Sequence, residues 1–211
     1  MPAAHIDHIL VGVPDLDATL AGLSTKLGVQ PVYGGKHPRG THNALLSLGA
    51  HTYLELIALQ PGAKGADFGM ADLDGLTAPV PIGWAVSSAD AASLRGQLES
   101  AGFSLTESTP GSRTTPAGEV LQWHTFDLAD DTPGAPFFIN WSPGTRHPAT
   151  TSPSGCTVEA FGITSPSAQK LRALISSLGL TAAASDGAEL SFSLRLRCPA
   201  GPVEFQTPRH R

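Results

Sequence analysis

Three glycines end three leucine-rich helical patterns at nearly equal intervals, and no other feature of the chain constrains its fold as much. Leu16, Leu20, Leu23 and Leu27 recur at helical spacing, Asp15 is placed to cap the start, and Gly28-Val29 comes at once after them. Leu94, Leu98 and Ala101 precede Gly102-Phe103 with Asp90 near the helix start, and Leu171, Leu174, Ile175 and Leu178 precede Gly179-Leu180. The stop glycines therefore return about every 75 residues, too long for a solenoid unit and right for a duplicated supersecondary module.

Each helix comes after a strand candidate: His8 to Val13, Ile82 to Ser87 and Val158 to Thr164. Further strand-like runs come after the helix: Val32-Tyr33, Ala44 to Leu48 and Thr52 to Leu59; then Glu119 to Asp127 and Phe137 to Trp141; then Glu189 to Leu196 and Pro202 to Gln206. The unit reads βαβββ. Loops are expected at Pro61 to Pro81, rich in Gly, Asp and Pro, and at Ser142 to Gly155, rich in Pro, Ser and Thr. The expected organisation is a paired unit over residues 1–145, with modules at about 5–60 and 81–141, and a third βαβββ-like module over 155–211.

Within this frame one residue stands out. Glu55 interrupts the apolar run Tyr53-Leu54-Glu55-Leu56-Ile57-Ala58-Leu59, where a carboxylate is costly to bury without a partner. The partner suggested by pattern is His8, a lone imidazole in Ile6-Asp7-His8-Ile9-Leu10-Val11-Gly12-Val13. A His and a Glu facing inward from two strands make either a buried hydrogen-bonded pair or half of a metal site. All three tryptophans, Trp84, Trp123 and Trp141, fall on second-module strands, where they line an aromatic pocket or belong to the core. His5, His42, His51, His147 and His210 sit in loop-like or terminal contexts and are expected to be solvated.

Composition removes several classes. With 211 residues, 41% hydrophobic and 15% charged, the chain carries enough apolar material for a packed core. A net charge of −5 provides no electrostatic footprint for nucleic acid or an anionic membrane surface. The absence of a membrane-length apolar stretch and of a signal-peptide pattern leads to a cytoplasmic expectation. Cys156 and Cys198 lack C-x-x-C spacing and are expected as buried or edge thiols, with a link between them left open. G-x-S-x-G, G-x-x-x-x-G-K and G-x-G-x-x-G are all missing, so hydrolase, phosphate-loop and Rossmann readings have no support.

Four motifs resemble the vicinal oxygen chelate superfamily, and within it the glyoxalase-like domain group. They are His8-Ile9-Leu10-Val11-Gly12-Val13-Pro14-Asp15-Leu16-Asp17, Gly34-Gly35-Lys36-His37-Pro38-Arg39-Gly40-Thr41-His42-Asn43-Ala44-Leu45, Tyr53-Leu54-Glu55-Leu56-Ile57, and Pro136-Phe137-Phe138-Ile139-Asn140-Trp141. The resemblance implies an α+β fold in which paired βαβββ modules form a curved mixed sheet, a cup around a small-molecule site, with the third module an added half-unit. It also implies a divalent metal (zinc, nickel, manganese or iron(II)) held by the first and last strands of each module, with His8 and Glu55 matching the first-module positions. The second module departs from that pattern: Pro81-Ile82-Gly83-Trp84-Ala85 offers no ligating side chain, and Asn140 stands where a carboxylate would be. An amide oxygen is a poor ligand for zinc or iron. His124 would be a third donor only if it points into the cup. The turn carrying His37 and Asn43 is implied to reach the cup mouth; by pattern alone it is equally a tight hairpin.

The expectation is a glyoxalase-like protein that binds a small molecule in the cup, and its chemistry has two readings. In one, a metal bound by His8 and Glu55 serves a lyase, isomerase or dioxygenase, with Glu55 or a neighbour moving a proton. In the other, the protein binds a drug-like or toxic compound without metal or catalysis, using Trp84, Trp123, Trp141, His37, Asn43, His124 and Asn140. The architecture also admits a homodimer that completes the cup.

Overall fold

The computed structural model describes residues 4–63 and 73–208; the expectation for His210 and residues 64–72 of the loop expected between Pro61 and Pro81 lie outside the described residues. The first module comprises β1 (His5–Gly12), α1 (Leu16–Leu27), β2 (Val32–Lys36), β3 (Thr41–Ser47) and β4 (Tyr53–Leu59). The second comprises β5 (Val80–Ser87), α2 (Ala91–Ser100), β6 (Thr109–Thr114), β7 (Val120–Phe126) and β8 (Phe137–Trp141). After a short helix α3 (Pro148–Thr151) come β9 (Thr157–Ser165), α4 (Ala168–Leu178), β10 (Ala183–Asp186), β11 (Ser191–Cys198) and β12 (Gly201–Gln206).

The helices begin and end where their sequence signals stand. Asp15 accepts from the Ala18 amide and Asp90 from the Ser93 amide, satisfying donors that the first turn leaves open. Gly28 and Gly179 close α1 and α4 in the left-handed region at φ 68 and 65, where a side chain would be strained. The buried faces are the leucine stripes: Leu16, Leu20, Leu23 and Leu27 on α1, and Leu171, Leu174 and Leu178 on α4.

The first eight strands close a barrel in the order β1-β4-β3-β2-β6-β7-β8-β5. The two modules meet where β1 runs antiparallel to β5 over most of its length, and again at a narrow seam where β2 touches β6 through Lys36 and Thr114. The barrel thus closes within one chain and needs no second copy to complete it. The remaining strands form a separate sheet in the order β10-β9-β11-β12. The main core lies between the barrel's outer face and these other layers: Ile9, Val11, Leu54, Leu56, Trp84 and Val86 pack with α1, α4 and Phe161, Ile163 and Leu194 of the second sheet. Burying each such aliphatic side chain stabilises the fold by about 1.5–3 kcal/mol. No described helix is long and apolar enough to cross a membrane.

Two expectations need correction, and two strands are added to those expected. Cys156 and Cys198 are disulfide-bonded rather than free thiols. Thr157 pairs with Arg197 in the antiparallel ladder, so the next pair outward brings the two cysteines face to face despite 42 residues of separation. Thr109–Thr114 and Ala183–Asp186 are two further strands that the sequence pattern does not mark. The segment Ser142 to Gly155 is not all loop, since it contains α3.

Candidate functional site

Alternation along the strands decides which side chains enter the barrel. His8 on β1, Asn43 and Leu45 on β3, Tyr53 and Glu55 on β4, Arg113 on β6, Trp123 on β7 and Trp141 on β8 all reach one another's neighbourhood through the lumen. Asp7 breaks the alternation. The register between β1 and β5 shifts between Ile6 and His8, and this bulge lets Asp7 share neighbours with the residue after it. His8 Nδ1 donates to Asp7 Oδ1 at 2.7 Å, while Trp141 Nε1 and His147 Nε2 donate to Asp7 Oδ2 at 3.1 and 2.9 Å. His147, expected in solvent, is therefore a wall of the site: α3 and its His147 cap lie over the barrel end, against Tyr53 and Trp141.

A second chain of contacts runs from His8 across the lumen. His8 Nε2 lies 3.4 Å from Glu55 Oε2, Asn43 Nδ2 donates to Glu55 Oε1 at 2.7 Å, and Arg113 NH1 donates to Asn43 Oδ1 at 3.1 Å. His37 brings Nε2 to 4.0 Å from Glu55 Oε1 and is fixed on its other side by Thr41 Oγ1 at 2.9 Å. Gly34 makes room for this chain: a Cβ there would collide with Arg113 NH1 and Asn43 Oδ1. Gly111 likewise leaves space for the Trp123 indole. These glycines serve close side-chain approach as much as the hairpin expected of the Gly34-Gly35 turn.

The charges result from these contacts. Burial alone would raise the Glu55 pKa, but His8, His37, the Asn43 amide and Arg113 together hold it below the ordinary carboxylate value. Burial opposes the charge of Asp7 too, and hydrogen bonds from His147 and His8 outweigh it, holding that carboxyl well below its usual range. Burial lowers the pKa of His37, the Glu55 charge opposing and Arg113 adding to the shift. Burial, reinforced by the Asp7 and Glu55 charges, raises the Tyr53 phenol.

The structure sorts the expected site residues. His8, Glu55, His37, Asn43, Trp123 and Trp141 converge on the lumen. Trp84 does not: it is fully buried outside the barrel, donates to the Gly134 carbonyl at 2.9 Å and meets the Phe161 ring edge-on. His124 and Asn140 pair with each other across β7 and β8, one residue out of phase with Trp123 and Trp141, so both belong to the outer face and His124 is exposed. Sequence pattern does not mark Asp7, Arg113, Tyr53 or His147 as site residues. The bulge hides Asp7, and the Thr109–Thr114 strand hides Arg113; Tyr53 alone carries a signal, two residues before Glu55 on the same strand face.

One end of the lumen is filled by Leu10, Ile57, Leu73, Val80 and Ile82. Towards the β2–β6 seam a cavity of about 260 Å³ opens, lined by Arg113, Leu45, Leu121, Val32, Tyr33 and Arg146 among others.

The donor set does not suit a transition metal. Tight zinc or iron sites use about three good protein ligands, with positions left for water or substrate. Here His8 and Glu55 are the pair from the first module, β5 and β8 supply no ligating side chain to the lumen, and the Glu55 oxygens already face Asn43 and His8. No group of three or more His, Cys, Asp or Glu side chains among the described residues is arranged to hold a metal ion. Arg113 adds a cation one hydrogen bond behind Asn43.

The glyoxalase-like domain family matches residues 6–179. No curated protein sequence matches the chain. Among solved structures it is similar to a hypothetical protein from Staphylococcus aureus at TM-score 0.62 and 16% identity, over 96% of this chain and 85% of that one. It is similar at TM-score 0.50 and 13% identity to the Mn(II)-bound glyoxalase from Novosphingobium aromaticivorans, over 97% and 82% of the two chains. A mutant of 4-hydroxymandelate synthase from Streptomyces coelicolor aligns at TM-score 0.50 and 15% identity, over 98% of this chain and 62% of that one. At these identities the likeness shows the fold alone.

Proposed function

The chain belongs to the glyoxalase-like domain family, within the vicinal oxygen chelate superfamily, and from that premise we propose that its barrel binds a small organic molecule without a resident metal ion. The observation that carries this reading is the lumen itself: a cavity reaches Arg113, and behind it Asn43, Glu55 and His8 form an unbroken polar chain held by aromatic walls. Sites for small ligands combine an apolar lining with a few placed polar groups, and the cavity has that composition, with Val32, Leu45 and Leu121 beside Arg113. Trp123 and Trp141, their rings 5.3 Å apart, flank the polar chain, and Glu55 is the proton-accepting group within it.

The reading as a metal-dependent lyase, isomerase or dioxygenase has one observation in its favour. Asp7 holds His8 Nδ1 so that Nε2 faces Glu55, the way outer carboxylates orient metal-binding histidines. Among the described residues no third donor is arranged with His8 and Glu55 to hold an ion, so no reaction step is assigned to a metal.

Tryptophan fluorescence tests the site directly. Titration with a panel of aromatic and dicarbonyl compounds should saturate for at least one class and lose most of its amplitude in Trp123→Phe. Flat titrations across the panel would refute a small-molecule site.

A further inference from the structure

We propose that the ligand is a small organic acid whose apolar body lies in the cavity beside the β2–β6 seam and whose carboxylate pairs with Arg113. The inference rests on the small-molecule reading above and adds the chemical class of its ligand.

Arg113 is only 4% exposed, and its charge has no counter-ion among the described residues. There, Arg146, Arg172, Arg195 and Arg197 pair with carboxylates at the surface, whereas no ion pair involves Arg113. Its NH1 donates to a neutral amide oxygen, that of Asn43, and its Nε is buried with no hydrogen-bond partner. A buried cation left unpaired costs several kcal/mol, so folds that keep one generally supply an anion to it. Asn43 also stands between Arg113 and Glu55, so the two make no direct ion pair and the Arg113 charge reaches Glu55 only across the amide.

The cavity that Arg113 lines has the complementary character. Leu45 and Leu121 supply buried apolar wall, and Val32 and Tyr33, 41% and 43% exposed, supply an apolar rim. Arg146 brings a second cation and Glu119 a carboxylate to the cavity lining, where the two meet at 3.3 Å in a largely exposed pair. Such a surface pair is weak and yields readily to a competing carboxylate. A volume of about 260 Å³ suits a single ring with a short chain. A planar guanidinium matches a carboxylate through two parallel hydrogen bonds, which a neutral amide cannot reproduce.

Calorimetric titration of the full chain with 3-phenylpropionate and with 3-phenylpropionamide separates charge from shape. The acid should bind at least about tenfold more tightly than its amide, and Arg113→Gln should abolish that preference while leaving amide binding in place. Equal binding of the two compounds by the unmodified protein, or tighter binding of the amide, would overturn the inference and leave a small-molecule site standing. Silence from both compounds would overturn it as well, and silence across the aromatic and dicarbonyl panel too would remove the underlying reading. Should Arg113→Gln fail to fold, the acid-to-amide comparison on the unmodified protein decides alone.

Discussion

His8 Nδ1 donates to Asp7 Oδ1 at 2.7 Å although the two residues are consecutive on one strand. In a regular strand they would face opposite sides of the sheet; the bulge in β1 brings them together and places a carboxylate behind the imidazole that meets Glu55. Asp7 also holds Trp141 and His147, so one buried side chain ties β1 to β8 and to the segment that leads into α3.

Asp7→Asn keeps the shape and removes the charge that three donors address. It should destabilise the fold by about 2–4 kcal/mol, the range expected when one member of a buried charged network is lost. Urea denaturation of the two proteins measures this, and a change below about half a kcal/mol, the ordinary scatter of surface substitutions, would show that Asp7 is not structurally coupled to its donors.

The bulge also explains what can and cannot be read from the residues. The helices are legible because their signals are local: Asp15 and Gly28, Asp90 and Gly102, and Gly179 stand within a turn of the ends they define. His8 and Glu55 are legible as polar interruptions of apolar runs. Asp7 is not, since strict alternation assigns it to the other face. Arg113 lies in Thr-Pro-Gly-Ser-Arg-Thr, which looks like a turn until Gly111 and Gly34 are seen to admit the Trp123 and Arg113 side chains. The facing of Trp84, His124 and Asn140 is not legible, since strand parity is fixed only once the register is known.

Gly34→Ala tests the packing of the polar chain. A Cβ at this position must displace Arg113 or Asn43, so the substitution should cost about 1–3 kcal/mol, as overpacking does, and weaken ligand binding. Gly96→Ala, inside α2 with nothing within 4 Å, serves as the control and should stabilise by up to about 1 kcal/mol, as Gly to Ala does in a helix interior. Equal effects at the two positions would contradict a packing role for Gly34.

Acid should unfold the protein in two stages. His37 has a folded pKa below its ordinary value of 6.5, so the unfolded chain binds its proton more readily and stability falls as pH drops through and below about 6.5. Glu55 and Asp7 have folded pKa values below their ordinary values of 4.5 and 3.8, so the stability they contribute is present above those values and is lost as pH falls through the folded ones. Chemical denaturation at a series of pH values should show a first decline that His37→Gln flattens and a steeper one below about pH 4.5 that it does not. A stability that stays constant from about pH 7 to about pH 4 would contradict these charges.

The disulfide joins positions 42 residues apart and clips β9 to β11. Constraint of the unfolded chain by such a loop contributes up to about 4 kcal/mol. Cys156→Ser with Cys198→Ser, or reduction, should lower the denaturation midpoint accordingly, and thiol titration of the native protein should find no free cysteine. Disulfides persist mainly in oxidising compartments, so the cross-link weighs against the cytoplasmic setting expected from the absence of targeting signals.

Elemental analysis of the purified protein tests the metal-free site most directly, before and after incubation with zinc, nickel, manganese and iron(II), alongside His8→Ala. With His8 and Glu55 bound to protein partners and no third donor arranged beside them among the described residues, the expected result is far less than one metal ion per chain under every condition, and ligand binding unchanged by a chelator. Near-stoichiometric metal that disappears in His8→Ala would contradict it and establish a metal centre on His8 and Glu55.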